Sequence, residues 1–107
     1  MKPPSHLSAD ARRWWANVSR IYQLETHHHR LLTAACEAWD LKERARRELA
    51  AAATLSYEDS AGNLRPRPEI AIERDARAAF GRLVRQLDLD ADQPKLGPGR
   101  PLPDGDY

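Results

Sequence analysis

This sequence predicts a mainly α-helical fold that works as an oligomer, and three observations carry that expectation. Apolar residues recur three and four positions apart in three separate stretches, the spacing of one face of a helix. From residue 26 to residue 61 there is neither glycine nor proline, so one of those helices can run long. One short segment, "TLSYEDSAGNLRP", switches to alternation of two around a turn-rich centre, which is the signature of a β-hairpin. The oligomer follows from size. A chain of 107 residues buries only about 60–65% of its unfolded surface, so self-association adds stability that a small core lacks. The expected order is an antiparallel helical hairpin over about 9–24 and 27–53, a β-hairpin over about 54–66 and a third helix over about 68–88. Residues 1–7 are expected to form a flexible arm, 8–89 a single domain, and 90–107 a flexible tail rich in proline and glycine.

The first helix starts after Ser8, an N-cap residue, with Asp10 in the first turn facing the positive end of the helix dipole. Ala11, Trp14, Trp15, Val18, Ile21 and Tyr22 form its apolar side. Trp14 and Trp15 lie about 100° apart around a helix, so one can enter the core while the other sits at its rim. A tryptophan at a rim is typical of a partner surface, but packing of both tryptophans in the core is the leading expectation. The second helix takes Thr26 as its cap, and Leu31, Leu32, Ala35, Cys36, Trp39, Ala45, Leu49 and Ala52 make its stripe. Only two or three residues join the two helices, which makes them antiparallel neighbours.

Leu55 and Tyr57 then alternate with Ser56 and Glu58, and Leu64 follows the turn. A lone two-stranded hairpin is marginal in water, so it needs the helices or another subunit beside it. In "AGNLRPRPEI", Gly62 and Asn63 close the turn and Pro66 ends the return strand. Pro68 suits the first turn of the third helix, where its missing N–H does no harm. Arg67 stands where a capping side chain is usual. The third helix has Ile72, Ala76, Ala79, Phe80, Leu83, Val84 and Leu87 on one face. Its other face carries Glu73, Arg74, Arg77, Arg85 and Gln86. Gly81 in its middle suggests close approach of another backbone.

Composition narrows the function. Hydrophobic residues make up 41% and charged residues 31%, the balance of a soluble helical protein. No apolar run approaches the roughly 20 residues of a membrane span, and the N-terminal stretch lacks the apolar core of a secretory signal. The single Cys36 has no disulfide partner within the chain, which points to a reducing compartment. The net charge is +1, unevenly placed. Residues 1–24 carry Lys2, Arg12, Arg13 and Arg20 against Asp10, whereas 90–107 carry four aspartates against Lys95 and Arg100. A basic head and an acidic tail suit different partners.

Catalytic and metal chemistry find little support. In "HHH" at 27–29 successive side chains point about 100° apart, whereas helical zinc ligands sit at i and i+4, where this chain has Leu31, Leu32 and Thr33. There is no glycine-rich phosphate loop, and the carboxylates are scattered over charged helix faces. The expectation is a non-enzyme with no cofactor, no bound metal, no small-molecule substrate and no membrane.

Taken in order, "PPSHLSADARRWWANV", the charged helix through "ACEAW", and "SYEDSAGNLRPRPEIAIERDARAAFGRLVRQLDLD" resemble the small subunits of phage terminases over about residues 3–95. The chain departs from that pattern at Arg67, where the family commonly has Asn or His before the helix-starting proline, and in its partly acidic post-helix segment. The resemblance implies a non-catalytic, ring-forming DNA-packaging factor in the cytoplasm of the infected bacterial host. Such a factor would recognise double-stranded viral DNA at the packaging site and present it to the large terminase subunit, which supplies ATPase and nuclease. It carries no fixed set of DNA-contact residues to this sequence.

From the residues themselves, the candidate phosphate contacts are Lys2, Arg12, Arg13 and Arg20, with Arg65 and Arg67 as a second group. The candidate oligomer contacts are Trp14, Trp15, Tyr57, Leu64, Phe80 and Leu83. Two other readings stay open: a helical oligomeric adaptor with little DNA affinity, and a small DNA-binding regulator.

Overall fold

The computed structural model describes residues 1–89. The described residues form three helices, α1 (Ala9–Ile21), α2 (Thr26–Ala51) and α3 (Pro68–Leu87), with one antiparallel hairpin of β1 (Ser56–Glu58) and β2 (Leu64–Pro66) between α2 and α3 in the chain. The mainly helical architecture and the hairpin agree with the sequence reading. The expected tail, 90–107, lies outside the described residues.

Ser8 begins α1 in two ways at once. Its Oγ accepts from the Ala11 amide at 3.1 Å, which is the N-cap bond, and donates to Asp40 Oδ1 at 2.6 Å. Its own amide donates to Asp40 Oδ2 at 2.8 Å. The cap is therefore also a clasp to the middle of α2. Further along, Cys36 Sγ donates to the Ala11 carbonyl, and Trp15 Nε1 donates to Thr33 Oγ1 at 3.0 Å. Partners in α2 fall from 40 to 33 as α1 advances from 8 to 15, so the two helices run antiparallel. α1 stops at Ile21, three residues earlier than expected, because Tyr22 is already extended. That turn brings Tyr22 and Leu24 against the core.

Thr26 is the first residue of α2, not its cap, and Glu25 holds the cap position. The Glu25 amide donates to Nδ1 of His28 at 3.1 Å, so a histidine takes the place of the usual third-position Glu or Gln. α2 then continues for 26 residues, about 39 Å at 1.5 Å per residue. α3 begins with Pro68 in its first turn and Glu69 beside the dipole, and it ends at Asp88 in the left-handed conformation, φ 53°.

The core sits where α1 crosses the N-terminal half of α2 and the C-terminal end of α3. Leu7, Ala11, Trp15, Val18, Leu32, Cys36 and Leu87 fill it. Leu7 is 2% exposed, and the neighbouring His6 Nε2 lies 2.7 Å from Glu37 Oε2. Hydrophobic burial thus fixes the inner end of the segment expected as a loose arm. Away from the core, the buried positions of the two long helices include Ala45 and Ala76. Small side chains there let α2 and α3 run close together.

Three expectations for α3 change. Glu73, assigned to the polar face, is buried, and both its oxygens accept from Arg77 Nη2, at 2.6 and 2.5 Å. Ile72, assigned to the apolar face, is 40% exposed. Gly81 has no backbone against it, for a Cβ built there would meet only the Arg85 guanidinium at 3.7 Å.

Candidate nucleic-acid interface

The helical period decides which arginines of α1 face outward. Arg13, Ala16, Asn17 and Arg20 are spaced three and four apart and line one shallow groove with Asp10 and Trp14. Arg13 is exposed, with Nη2 3.4 Å from Asp10 Oδ1. Arg20 is exposed and pairs with Asn17 Oδ1 one turn back. Both are surface contacts that a phosphate can replace. Lys2 is also exposed.

Arg12 differs. It is half-buried, and its Nη1 donates to the Leu7 carbonyl at 2.5 Å and the Ser5 carbonyl at 3.3 Å. The guanidinium straps the N-terminal segment over the start of α1. Sequence alone could not separate Arg12 from Arg13, because the distinction depends on where the preceding residues fold back.

The second arginine group is equally occupied. Asp59 organises the hairpin turn: its Oδ1 accepts from the Ala61 and Asn63 amides at 3.0 and 2.9 Å, and its Oδ2 accepts from Arg65 Nε at 2.9 Å. These bonds, led by that from Asn63 and then the Arg65 guanidinium, hold the Asp59 carboxyl below its ordinary range. Gly62 completes the turn at φ 85°, a conformation that suits glycine. The Arg67 amide donates to the Leu55 carbonyl at 2.9 Å, and its Nε donates to the Thr54 carbonyl at 2.7 Å. Arg67 occupies the N-cap position of α3 without a side-chain cap and closes the neck of the hairpin instead.

The two basic groups do not meet within one chain. Arg20 lies near the start of α2 and the hairpin follows its end, a separation of roughly 38 Å along the helix.

Beside the α1 groove lies an apolar cleft of about 190 Å³, lined by Asp10, Ala11, Trp14, Cys36, Trp39 and Phe80. Phe80 sits between the two indoles, with ring centroids 5.9 Å from Trp14 and 5.1 Å from Trp39. Lys42 lies 3.8 Å over the Trp39 ring, its Nζ bonded to Glu43 Oε2 at 2.8 Å. That bond holds the Glu43 carboxyl below its ordinary range. At the floor, burial, with the charges of Asp40 and Glu37, pushes the Cys36 thiol up to about 12. The thiol is therefore a neutral core group.

The expected oligomer contacts divide by exposure. Trp15 is 2% exposed and stacks 5.4 Å from His29, so it is spent inside the chain and offers no surface to a partner. Trp14, Phe80 and Leu83 are half-buried. Tyr57 is 42% exposed and Leu64 75%. Leu55, which the sequence reading did not place at an interface, is 63% exposed. Its alternation with Tyr57 was the available signal.

The histidine run has local duties: His28 receives the Glu25 amide, His29 stacks on Trp15, and His27 Nδ1 is 3.8 Å from Glu25 Oε1. Among the described residues no three His, Cys, Asp or Glu side chains converge as a metal site. None of the described helices is long and apolar enough to cross a membrane.

Comparison with curated proteins and with solved structures finds no match. The family model described as "Phage terminase, small subunit" matches residues 11–95, a span that takes in most of α1 and all of α2, the hairpin and α3. This chain belongs to the phage terminase small subunit family.

Proposed function

We propose that the chain is the DNA-recognising subunit of a phage packaging machine, acting as a homo-oligomeric ring that presents double-stranded viral DNA to the large terminase subunit. Membership of the small-subunit family supports a role in phage DNA packaging. The observation that carries the DNA reading further is the outward face of α1, where Arg13 and Arg20 stand one above the other with only exchangeable partners. Each subunit has little net charge, but repetition around a ring sums phosphate contacts and makes binding steeply salt-dependent. Lys2, also exposed, is a further proposed phosphate contact. Arg65 joins the α1 face only if another subunit brings the hairpin near, and Arg12 and Arg67 act chiefly as braces. Trp14, Tyr57, Leu64, Phe80 and Leu83 are the proposed subunit contacts. Catalysis is left to the large subunit.

The test is a salt titration of DNA binding by the intact protein and by Arg13→Ala/Arg20→Ala. Removing two phosphate contacts per bound subunit should lower the slope of log K against log salt by about 2 per subunit. An unchanged slope would rule the α1 face out.

One observation favours a second reading. Arg12, Arg65 and Arg67 are all engaged within the chain, which suits an oligomeric adaptor with little DNA affinity. In that case the intact protein binds packaging-site DNA no more tightly than unrelated DNA at any salt. A compact helix-turn-helix regulator fits poorly with an uninterrupted α2 of 26 residues.

A further inference from the structure

Two surfaces of this chain are unfinished. On the hairpin, the register pairs Ser56 with Pro66, Tyr57 with Arg65 and Glu58 with Leu64. Cross-strand partners share a face and neighbours alternate, so Leu55, Tyr57 and Arg65 stand together on one side. Leu55 is 63% and Tyr57 42% exposed, so the α-helices leave this apolar side in water. The second surface is the cleft between α1, α2 and α3, walled by Trp14, Trp39 and Phe80, with the carboxylate of Asp10 at its mouth.

The surfaces match in size and in charge. An apolar cavity of about 150 Å³ accepts a benzene-sized molecule, and this cleft measures about 190 Å³, enough for a leucine side chain or a tyrosine ring. Aromatic walls favour a tilted aromatic guest. The Asp10 side chain is 70% exposed and the Arg65 side chain 56%, so each can turn from its present partner toward an incoming opposite charge. They cannot meet within one chain. Trp39 lies twelve residues before the end of α2 at Ala51, about 18 Å short of it, and the hairpin lies beyond that end.

We propose that the hairpin of one copy docks on the aromatic cleft of the next, with the Tyr57 ring entering the cleft walled by Trp14, Trp39 and Phe80, Leu55 covering its rim and Arg65 meeting Asp10. The contact joins two different surfaces, so it is head-to-tail, and it closes into a ring or continues as a filament. It rests on the homo-oligomeric reading and supplies the contact that reading lacks. It also brings Arg65 of one copy beside the groove of Arg13 and Arg20 on the next, since Asp10 and Trp14 border both the cleft and that groove. Two basic groups far apart in a single chain become one stripe across each junction.

Complementary variants test this by light scattering coupled to size exclusion. Tyr57→Asp spoils the hairpin and leaves the cleft, whereas Asp10→Arg spoils the cleft mouth and leaves the hairpin. Both replaced side chains are solvent-facing, and Leu55→Asp is a second hairpin variant should Tyr57→Asp perturb the strand. The intact protein should assemble, and each variant alone should lose about thirtyfold or more in self-association. Mixed in equal amounts, Tyr57→Asp and Asp10→Arg keep one good hairpin and one good cleft between them. The mixture should then form a particle of twice the 12.1 kDa chain mass and nothing larger. If the intact protein assembles but the hairpin variants assemble equally well, or if the mixture stays monomeric, the docking is wrong and the ring survives on another contact. If the intact protein is itself a monomer, the docking and the ring fall together.

Discussion

Single side chains in this molecule often hold two elements at once, and Ser8 is the clearest case. Its hydroxyl caps α1 through the Ala11 amide while its backbone and Oγ both bond to Asp40 in α2. An N-cap Ser→Ala change ordinarily costs about 1 kcal/mol. Ser8→Ala also takes away one of two bonds to Asp40, so the expected loss is about 1–2 kcal/mol in denaturant unfolding. Leu32 is the contrasting case, wholly buried with no polar role. Leu32→Ala should cost about 2–5 kcal/mol by the same measurement. Cys36 adds a pH dependence. Its folded-state pKa of about 12 lies above the ordinary 9.0, so the thiol's contribution is complete below pH 9. It is lost as pH rises from 9 toward 12, because only the unfolded chain ionises there readily. Thiol-reagent labelling should accordingly be slow near neutral pH until denaturant unfolds the chain.

At the scale of elements, the hairpin depends on one carboxylate more than on its strands, which are three residues each. Asp59 accepts two turn amides and the Arg65 guanidinium. Its folded-state pKa is depressed, so its contribution is present above the ordinary aspartate range and is lost as pH falls through the lower folded value. Amide resonances of Ala61 and Asn63 should therefore move together in an acid titration, with a midpoint below the ordinary 3.8. In Asp59→Asn that transition should vanish. Gly81 makes a complementary prediction about α3. A Cβ there would meet only the flexible Arg85 guanidinium, at an ordinary contact distance of 3.7 Å, so Gly81→Ala should stabilise the isolated chain by about 0.5–1 kcal/mol, the helix-propensity gain.

For the whole molecule, what the sequence revealed divides along the line between local and long-range physics. The start of α1, the proline at the head of α3 and the hairpin turn were readable, because a cap, a ring-locked φ and a positive φ are local properties, whereas the cap of α2, expected at Thr26, falls one residue earlier at Glu25. The roles of Arg12 and Arg67 were not, because their partners are carbonyls placed by chain reversals at Leu7 and Thr54. Burial of Glu73 and exposure of Ile72 were missed for a related reason: periodicity defines a face but not its rotation about the neighbouring helix. The exposed side of the hairpin and the open aromatic cleft are the whole-molecule consequence. A small core leaves apolar surface that one chain cannot cover. If a neighbouring copy covers it, association and folding are linked, and unfolding becomes concentration-dependent by mass action. The midpoint in scanning calorimetry should rise by several degrees when the intact protein is concentrated about a hundredfold, because that increment is worth about 2.7 kcal/mol per binding event. The Tyr57→Asp chain, left with only its own core, should melt at one temperature across the same range. A concentration-independent midpoint for the intact protein, with the particle already monomeric at the lower concentration, would mean that this domain folds without its neighbours and that its apolar surfaces serve another partner.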